Sequence, residues 1–209
     1  MSTETNLKAA NSASLWAFFI FNFVVFNSLF FTSYYDSILN DFKLMLSART
    51  SGVLIAPVVL FIVNGFLSSE QKAILIFWRL KNVLPGSRAF SKHGKRDPRV
   101  NMNRLGALHA PLPIDPTDQN RLWFKLYKSH REDIAILKSH KDFLLARDMT
   151  SMAFLYLILA GIPMLFFAKA PLVYYYIIFL IMQYLTLVTV GQNKGKAFVT
   201  NVLAIESTK

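Results

Sequence analysis

The sequence predicts an all-α membrane protein, with four transmembrane helices arranged as two hairpins and a partly helical basic insert between them. Three observations lead to this prediction. Four long runs of the chain contain no charged residue, hydrophobic residues occupy 54% of its 209 positions, and most of its 23 Lys and Arg residues lie in one internal segment. A soluble domain of this length would carry more than 17% charged residues and fewer than 19 phenylalanines.

The four apolar runs define the predicted spans. They cover about 15–35, 52–68, 152–168 and 171–190, and each approaches the roughly 17–25 residues that a helix needs to cross a bilayer. Helices are the expected state because unpaired backbone groups are too costly in lipid and four segments cannot close a barrel. No small-residue cleavage site follows the first run, so we expect it to remain as a signal anchor. The predicted hairpins are therefore 15–68 and 152–190.

The positions of Lys and Arg predict the orientation. The segment 69–151 holds sixteen of them, the loop 36–51 holds Lys43 and Arg49, and the turn between the last two spans holds Lys169. Segments rich in Lys and Arg stay in the cytoplasm. We therefore predict that the N-terminal tail 1–14, the insert 69–151 and the C-terminal tail 191–209 all lie on the cytoplasmic side of the inner (plasma) membrane.

The insert is expected to have two different halves. Residues 82–116 contain five prolines and several turn signals, which indicate loops; the basic stretch 90–99, FSKHGKRDPR, belongs to this half. Residues 117–149 predict one helix, with Thr117 or Asp118 as its N-cap. Its mostly apolar stripe has a four-three spacing and is expected to face a partner, another copy or the loop half: Trp123, Tyr127, His130, Ile134, Leu137, Lys141 and Leu144.

The formal net charge of +11 predicts an anionic partner. Anionic lipid headgroups are the default partner of cations beside a cytoplasmic membrane face, and an acidic cytoplasmic protein is the second candidate. Nucleic acid is less favoured, although cations and aromatic rings together suit it, because no nucleic-acid-binding fold is recognisable. The predicted lipid- or partner-binding residues are Arg79, Lys81, Arg88, Lys92, Lys95, Arg96, Arg99, Trp123 and Tyr127.

The last predicted span carries a polar stripe. Gln183, Thr186 and Thr189 follow each other at intervals of three and share one side of a helix. They indicate either a wet surface lining a pore or hydrogen bonds between helices in a bundle or oligomer, and the second interpretation is favoured. The four runs contain no Asp, Glu, Lys or Arg, which disfavours an ion-coupled transporter.

No motif in the chain indicates catalysis. It has no cysteine, its four histidines fit no zinc spacing, and neither a P-loop nor a Gly-x-Ser-x-Gly elbow is present. We therefore predict that the protein is not an enzyme and uses no cofactor or metal. The histidines, all within the insert, are expected to be solvated or to face a partner.

The overall organisation resembles the membrane subunit of prokaryotic anti-phage defence systems, especially those of the Kiwa type. The resemblance covers the whole chain: four spans, a cytoplasmic N-terminus, a basic insert after the second span and no catalytic residues. It implies a homo-oligomeric inner-membrane protein, a tetramer, that senses phage-induced membrane change and holds a DNA-binding cytoplasmic effector. It implies no site residues, because it rests on no sequence motif.

Two functional hypotheses follow. The first is an oligomeric inner-membrane sensor or scaffold whose insert docks a cytoplasmic effector partner. The second is a small oligomeric channel that depolarises the membrane when triggered. They differ in what they require of Gln183, Thr186 and Thr189, which a channel needs for conductance and a scaffold does not need for binding.

Overall fold

The structure is a computed structural model, and it describes residues 3–30, 62, 65–167 and 170–209. Every element within these ranges is helical. The helices are α1 (Thr3–Phe30), α2 (Ser69–Phe77), α3 (Gly94–Arg96), α4 (Met102–His109), α5 (Pro116–His130), α6 (Ile134–Tyr156), α7 (Ile162–Phe167) and α8 (Leu172–Glu206). A 3₁₀ turn at Pro85–Arg88 and π-helical turns at Ala89–His93 and Leu157–Gly161 complete the element order.

Three helical stretches are long and apolar enough to cross a membrane. They are Ala10–Phe30, Ile134–Phe166 and Leu172–Glu206, and they overlap most of the first, third and fourth predicted spans. Twelve of the seventeen residues of the second predicted span, 52–68, lie outside the described residues. The predicted helical class is therefore confirmed for the described part of the chain, whereas the four-span count stays a prediction.

The chain divides into two compact units. Unit 1 comprises Met1–Ser68 and Asp148–Leu187, and unit 2 comprises Ser69–Arg147 and Val188–Lys209. The basic segment lies in unit 2.

Aromatic rings hold the described helices of unit 1 together. The Tyr156 hydroxyl donates a hydrogen bond to the Phe19 carbonyl over 3.1 Å, and the Phe30 and Tyr176 rings meet edge to face at 5.3 Å. The amides of Asn22 and Asn27 donate to carbonyls four residues earlier in their own helix. Each of these amides in the first predicted span therefore has an acceptor within its own helix, which an apolar environment requires of polar groups.

Unit 2 is built around an aromatic core, and the end of α8 is part of it. Phe198, Val199, Val202 and Leu203 are at most 4% exposed, and they occupy one side of α8 because they lie four residues apart in two pairs. Residues 191–206, which belong to the predicted cytoplasmic tail, are thus helical and packed rather than extended, whereas the side of the membrane on which they lie stays a prediction. A row of apolar residues continues the helix past the last apolar span and packs into unit 2.

The predicted helix 117–149 is two helices. Asp115 Oδ1 caps α5 by accepting from the backbone N–H of Thr117 and Asp118 over 2.8 and 3.1 Å. Asp133 Oδ1 caps α6 in the same way, accepting from the N–H of Ala135 and Ile136. The expected continuous stripe is broken between α5 and α6, and Ile134 at the start of α6 is 84% exposed whereas Leu144 is buried.

The half expected to be loops also differs from the prediction. Residues 85–96 form consecutive helical turns and 102–109 form α4. The physical reason is burial: Phe90 and Leu105 lie in the same core as Ile76 and Val202, so this part of the chain packs rather than extending into solvent.

Three of the four histidines are structural residues of unit 2, contrary to the expectation of solvated side chains. The His140 ring stacks on Phe198 at 4.7 Å, and its Nδ1 lies 3.0 Å from the Tyr127 hydroxyl. His109 Nε2 lies 2.8 Å from Glu206 Oε1, and His130 is hydrogen-bonded to the other oxygen of that carboxylate. These bonds tie the C-terminal end of α8 to α4 and α5.

Candidate functional site

The basic segment is held against α5 by one buried amide. Gln119, 1% exposed, accepts hydrogen bonds at Oε1 from the backbone N–H of Phe90 and Ser91 over 3.2 and 3.0 Å. Its Nε2 donates to the carbonyl of Ile114 over 2.8 Å. The π-helical turn Ala89–His93 leaves backbone donors without the usual helical acceptor, and Gln119 supplies it.

A glycine allows the same segment to approach α5 closely. A Cβ atom added at Gly86 would lie 2.5 Å from Asn120 Oδ1 and 2.7 Å from Trp123 Cε3. These separations are too short for non-bonded atoms, so any side chain here would displace the turn from α5. Gly86 and Gln119 together set the position of residues 85–93.

This placement separates apolar from charged side chains. Phe90 and His93 are buried at 2% and 6% exposure, whereas Lys92 is half-buried and Lys95 and Arg96 are exposed. Residues 92–99 and the α8 residues 196–200 enclose an open groove of about 580 Å³. It is lined by Lys92, His93, Arg96, Asp97, Pro98, Arg99, Lys196, Ala197 and Thr200.

The one carboxylate lining the groove is already neutralised. Arg99 donates from Nε to Asp97 Oδ1 over 3.0 Å and from Nη2 to Oδ2 over 2.7 Å. These bonds lower the pKa of Asp97 far below its usual value and raise the pKa of Arg99. Such a paired fork leaves neither group free to compensate other charges. The remaining three cations, Lys92, Arg96 and Lys196, give the groove a net charge of +3.

These cations belong to a larger group that we call the cation cluster: Arg79, Arg88, Lys92, Arg96 and Lys196. Repulsion from Arg96 is the largest cause that lowers the pKa of Lys92, followed by burial and by Arg88, Lys196 and Arg79. Burial lowers the pKa of Arg88, and Arg79 lowers it further. In the described part of the chain no carboxylate pairs with any of the five. The cluster therefore carries uncompensated like charges at close range.

His93 is a buried residue among those that line the groove, and it is neutral at pH 7. Burial lowers its pKa to about 4, with further lowering by Arg88, Lys92, Lys196 and Arg96. Among the described residues, its Nε2 and the buried Nε of Arg88 have no hydrogen-bond partner. A buried polar atom without a partner is uncommon in folded proteins and calls for a physical explanation.

The predicted binding residues thus fall into three groups. Lys92, Arg96 and Arg99 line the groove. Arg79 and Arg88 do not line it, but both lower the pKa of Lys92. Lys81 and Lys95 are exposed and do not line it. Trp123 and Tyr127, by contrast, are each 7% exposed and pack on Phe198 at 5.2 Å. The structure corrects their assignment as partner-binding residues, because aromatic rings on the inner side of α5 build the core.

Sequence reasoning missed Lys196, His93 and Gln119. Lys196 was placed in a tail, although the apolar residues Phe198, Val199, Val202 and Leu203 already indicated a helix with a buried side. No sequence signal identifies Gln119 as the acceptor for a turn 28 residues earlier.

The predicted polar stripe of the last span is only partly explained by the structure. Thr186 donates its hydroxyl to the Met182 carbonyl over 2.8 Å, so its donor is satisfied within α8. Gln183 is half-buried, and its Oε1 has no hydrogen-bond partner among the described residues. Thr189 is exposed.

Neither the protein families, nor the curated proteins, nor the solved structures compared with this chain contain a match. The resemblance to Kiwa-type membrane subunits therefore stays a prediction. Within the described residues, no group of three or more His, Cys, Asp or Glu side chains could hold a metal ion.

Proposed function

We propose that this chain is a non-enzymatic, membrane-anchored scaffold in which unit 2 binds an anionic partner at the cation cluster. The observation that carries the proposal is a set of five cations in which Lys92 and Arg88 have pKa values lowered by their neighbours, and in which no cation is paired with a carboxylate among the described residues. Three helices able to cross a membrane supply the anchor.

Repulsion within the cluster makes anion binding favourable. Arg96, Arg88, Lys196 and Arg79 lower the pKa of Lys92, and burial together with Arg79 lowers that of Arg88, so the folded unit holds charges whose proximity opposes folding. A bound anion relieves this repulsion and is attracted by several cations at once, whereas an isolated surface ion pair contributes about 0–1 kcal/mol. Binding should therefore weaken steeply as salt screens the cluster.

The neighbouring surface is compatible with a partner at the membrane. Trp78 and Leu80 are 62% and 82% exposed, and they alternate with the cations Arg79 and Lys81. Exposed aromatic and basic side chains in alternation are typical of contact with anionic headgroups. An acidic cytoplasmic protein is the other partner of the scaffold hypothesis. The tetramer, the effector partner and the anti-phage role remain predictions from the resemblance.

Two charge-reversal variants of the full chain test the proposal. The cluster variant carries Lys92→Glu, Arg96→Glu and Lys196→Glu. The control variant carries Lys125→Glu, Arg131→Glu and Lys138→Glu, which lie outside the cation cluster, are exposed, and produce the same change in net charge.

Binding is measured in uncharged nanodiscs with three probes: polyglutamate, anionic vesicles and a single-stranded oligonucleotide. We expect at least one probe to bind wild type and to lose affinity about tenfold more in the cluster variant than in the control. Equal losses in the two variants would mean that only total charge matters, and the proposal would be wrong.

The channel alternative has one observation in its favour, the unpartnered Oε1 of Gln183. A polar atom left without a partner in an apolar helix suits contact with another helix or with water. The variant with Leu at positions 183, 186 and 189 should abolish conductance in liposomes if the chain is a channel. Under the scaffold proposal, it should leave probe binding unchanged and wild type should conduct no ions.

A further inference from the structure

The groove within the cation cluster has the dimensions and chemistry of a small-ligand site. Its volume of about 580 Å³ falls within the roughly 300–1,000 Å³ usual for such sites. One wall is the segment that Gln119 fixes against α5, and the other is a turn of α8 that carries Lys196 and Thr200. Lys92, Arg96 and Lys196 all lie on helical elements, so these cations are held on rigid parts of the chain.

We propose that this groove binds a phosphate group, carried as a phosphomonoester, between Lys92, Arg96 and Lys196 and beside His93. This inference rests on the proposed function and names the chemistry of the partner. The unpartnered Nε2 of His93 is the second observation that supports a ligand here, independent of the three cations.

Charge and geometry favour a phosphomonoester over a carboxylate. Three separate cations offer more charge and more donors than the two oxygens of a carboxylate can use, whereas a phosphomonoester presents three acceptor oxygens and a charge near −2. Asp97 does not oppose binding, because both of its oxygens already accept from Arg99.

His93 provides a direct report of an anion in the groove. The charged groups that face it are Arg88, Lys92, Arg96 and Lys196, and together with burial they keep it neutral. A bound phosphate offsets these cations and accepts a hydrogen bond, which favours the imidazolium form. Binding should therefore move the pKa of His93 upward from about 4 toward its ordinary value of 6.5.

The test is an NMR titration of the histidine side chains in the full chain, held in uncharged detergent, with inorganic phosphate as the probe. The His93→Gln variant identifies the signal, and chloride at equal ionic strength is the control. We expect phosphate to raise the pKa of His93 and chloride to leave it nearly unchanged. An equal response to both salts would overturn the proposal, since screening alone would then explain it.

Neutral variants locate the site. Lys92→Gln and Lys196→Gln should each weaken phosphate binding about tenfold or more, because each removes a charge-assisted hydrogen bond. Lys125→Gln and Lys138→Gln should leave the affinity unchanged. If all four variants weaken binding to the same extent, no defined site exists.

Two further probes distinguish a lipid source from a soluble one. Vesicles with phosphatidic acid present a phosphomonoester, vesicles with phosphatidylglycerol present a diester, and glycerol 3-phosphate is a soluble monoester. Preference for phosphatidic acid vesicles identifies a headgroup site, and binding of glycerol 3-phosphate alone identifies a soluble ligand. Failure of both monoesters overturns the phosphate site.

The outcomes also separate this inference from the proposed function. If the charge-reversed cluster variant loses polyglutamate or vesicle binding while phosphate leaves His93 unaffected, the scaffold proposal stands and the phosphate site is wrong. If the cluster and control variants behave alike with every probe, both are wrong.

Discussion

The substitution Gln119→Leu tests whether one buried amide positions the basic segment. Leucine keeps most of the side-chain volume but removes the acceptor of Phe90 N–H and Ser91 N–H and the donor to the Ile114 carbonyl. Because Gln119 is 1% exposed, water cannot readily replace the lost groups.

The magnitude follows from the burial of each partner. Two N–H groups lose their acceptor: the bond from Phe90 is buried and the bond from Ser91 is partly buried. An unpaired buried donor costs about 1–3 kcal/mol, and a partly buried one less. The carbonyl of Ile114 belongs to a residue that is 90% exposed, so water can satisfy it and it adds little. We expect the free energy of local opening of the basic segment to fall by about 3 kcal/mol. The equilibrium constant for opening should therefore rise about 100-fold.

Amide hydrogen exchange in the full chain in detergent measures this loss at the two residues concerned. Exchange of the Phe90 and Ser91 amides should accelerate about 100-fold. Asn193→Leu, which removes an exposed amide from α8, is the matched control and should change neither rate. Wild-type exchange rates in Gln119→Leu would refute the assignment of Gln119 as the residue that fixes the groove wall.

Two other predictions follow from steric contact and from charge. In thermal unfolding, Gly86→Ala should lower the free energy of unfolding by about 1–3 kcal/mol, because its Cβ would lie 2.5 Å from Asn120 Oδ1. Gly106→Ala should raise it by up to about 1 kcal/mol, because nothing lies within 4 Å of that added Cβ. A change of the same sign in both variants would contradict the packing described for Gly86. The folded state favours neutral His93, so the unfolding free energy is highest above pH 6.5 and falls as the pH drops toward about 4. The total decrease is about 2 kcal/mol after allowance for screening. The unfolding free energy of wild type relative to His93→Gln, followed from pH 7.5 to about 4, should show this loss, and a difference independent of pH would contradict it.

The helices that are long and apolar enough to cross a membrane were predictable because long uncharged runs have few alternative structures. The ends of these helices were not predictable from the sequence. Lys194 and Lys196 end the apolar run of the last span, but a helix can continue beyond the end of its apolar run. It continues to Glu206 because Phe198 and Val202 bury their side chains in unit 2, a contact that depends on residues far away in the sequence.

The break between α5 and α6 shows a different limit. The four-three spacing runs through residues 123–144 without interruption, so periodicity alone predicts one helix. Asp133 ends that continuity by capping α6 with its own side chain. An aspartate is equally acceptable on the exposed side of a continuous helix, and the sequence therefore does not distinguish the two cases.

The predicted topology would account for the number of cations in the insert but not for their placement. The positive-inside rule counts Lys and Arg wherever they lie in a loop, so dispersed cations would fix the orientation without repelling each other. Instead, Lys92 and Lys196 come from distant parts of the sequence and meet in one groove, beside the partly buried Arg88, at a cost visible in the lowered pKa of Lys92. Gln119 holds this arrangement in place, although the repulsion between the cations destabilises the fold. Membrane orientation does not require this repulsion between clustered cations, whereas a binding site for an anion does. The basic segment is therefore better explained by a ligand than by orientation alone.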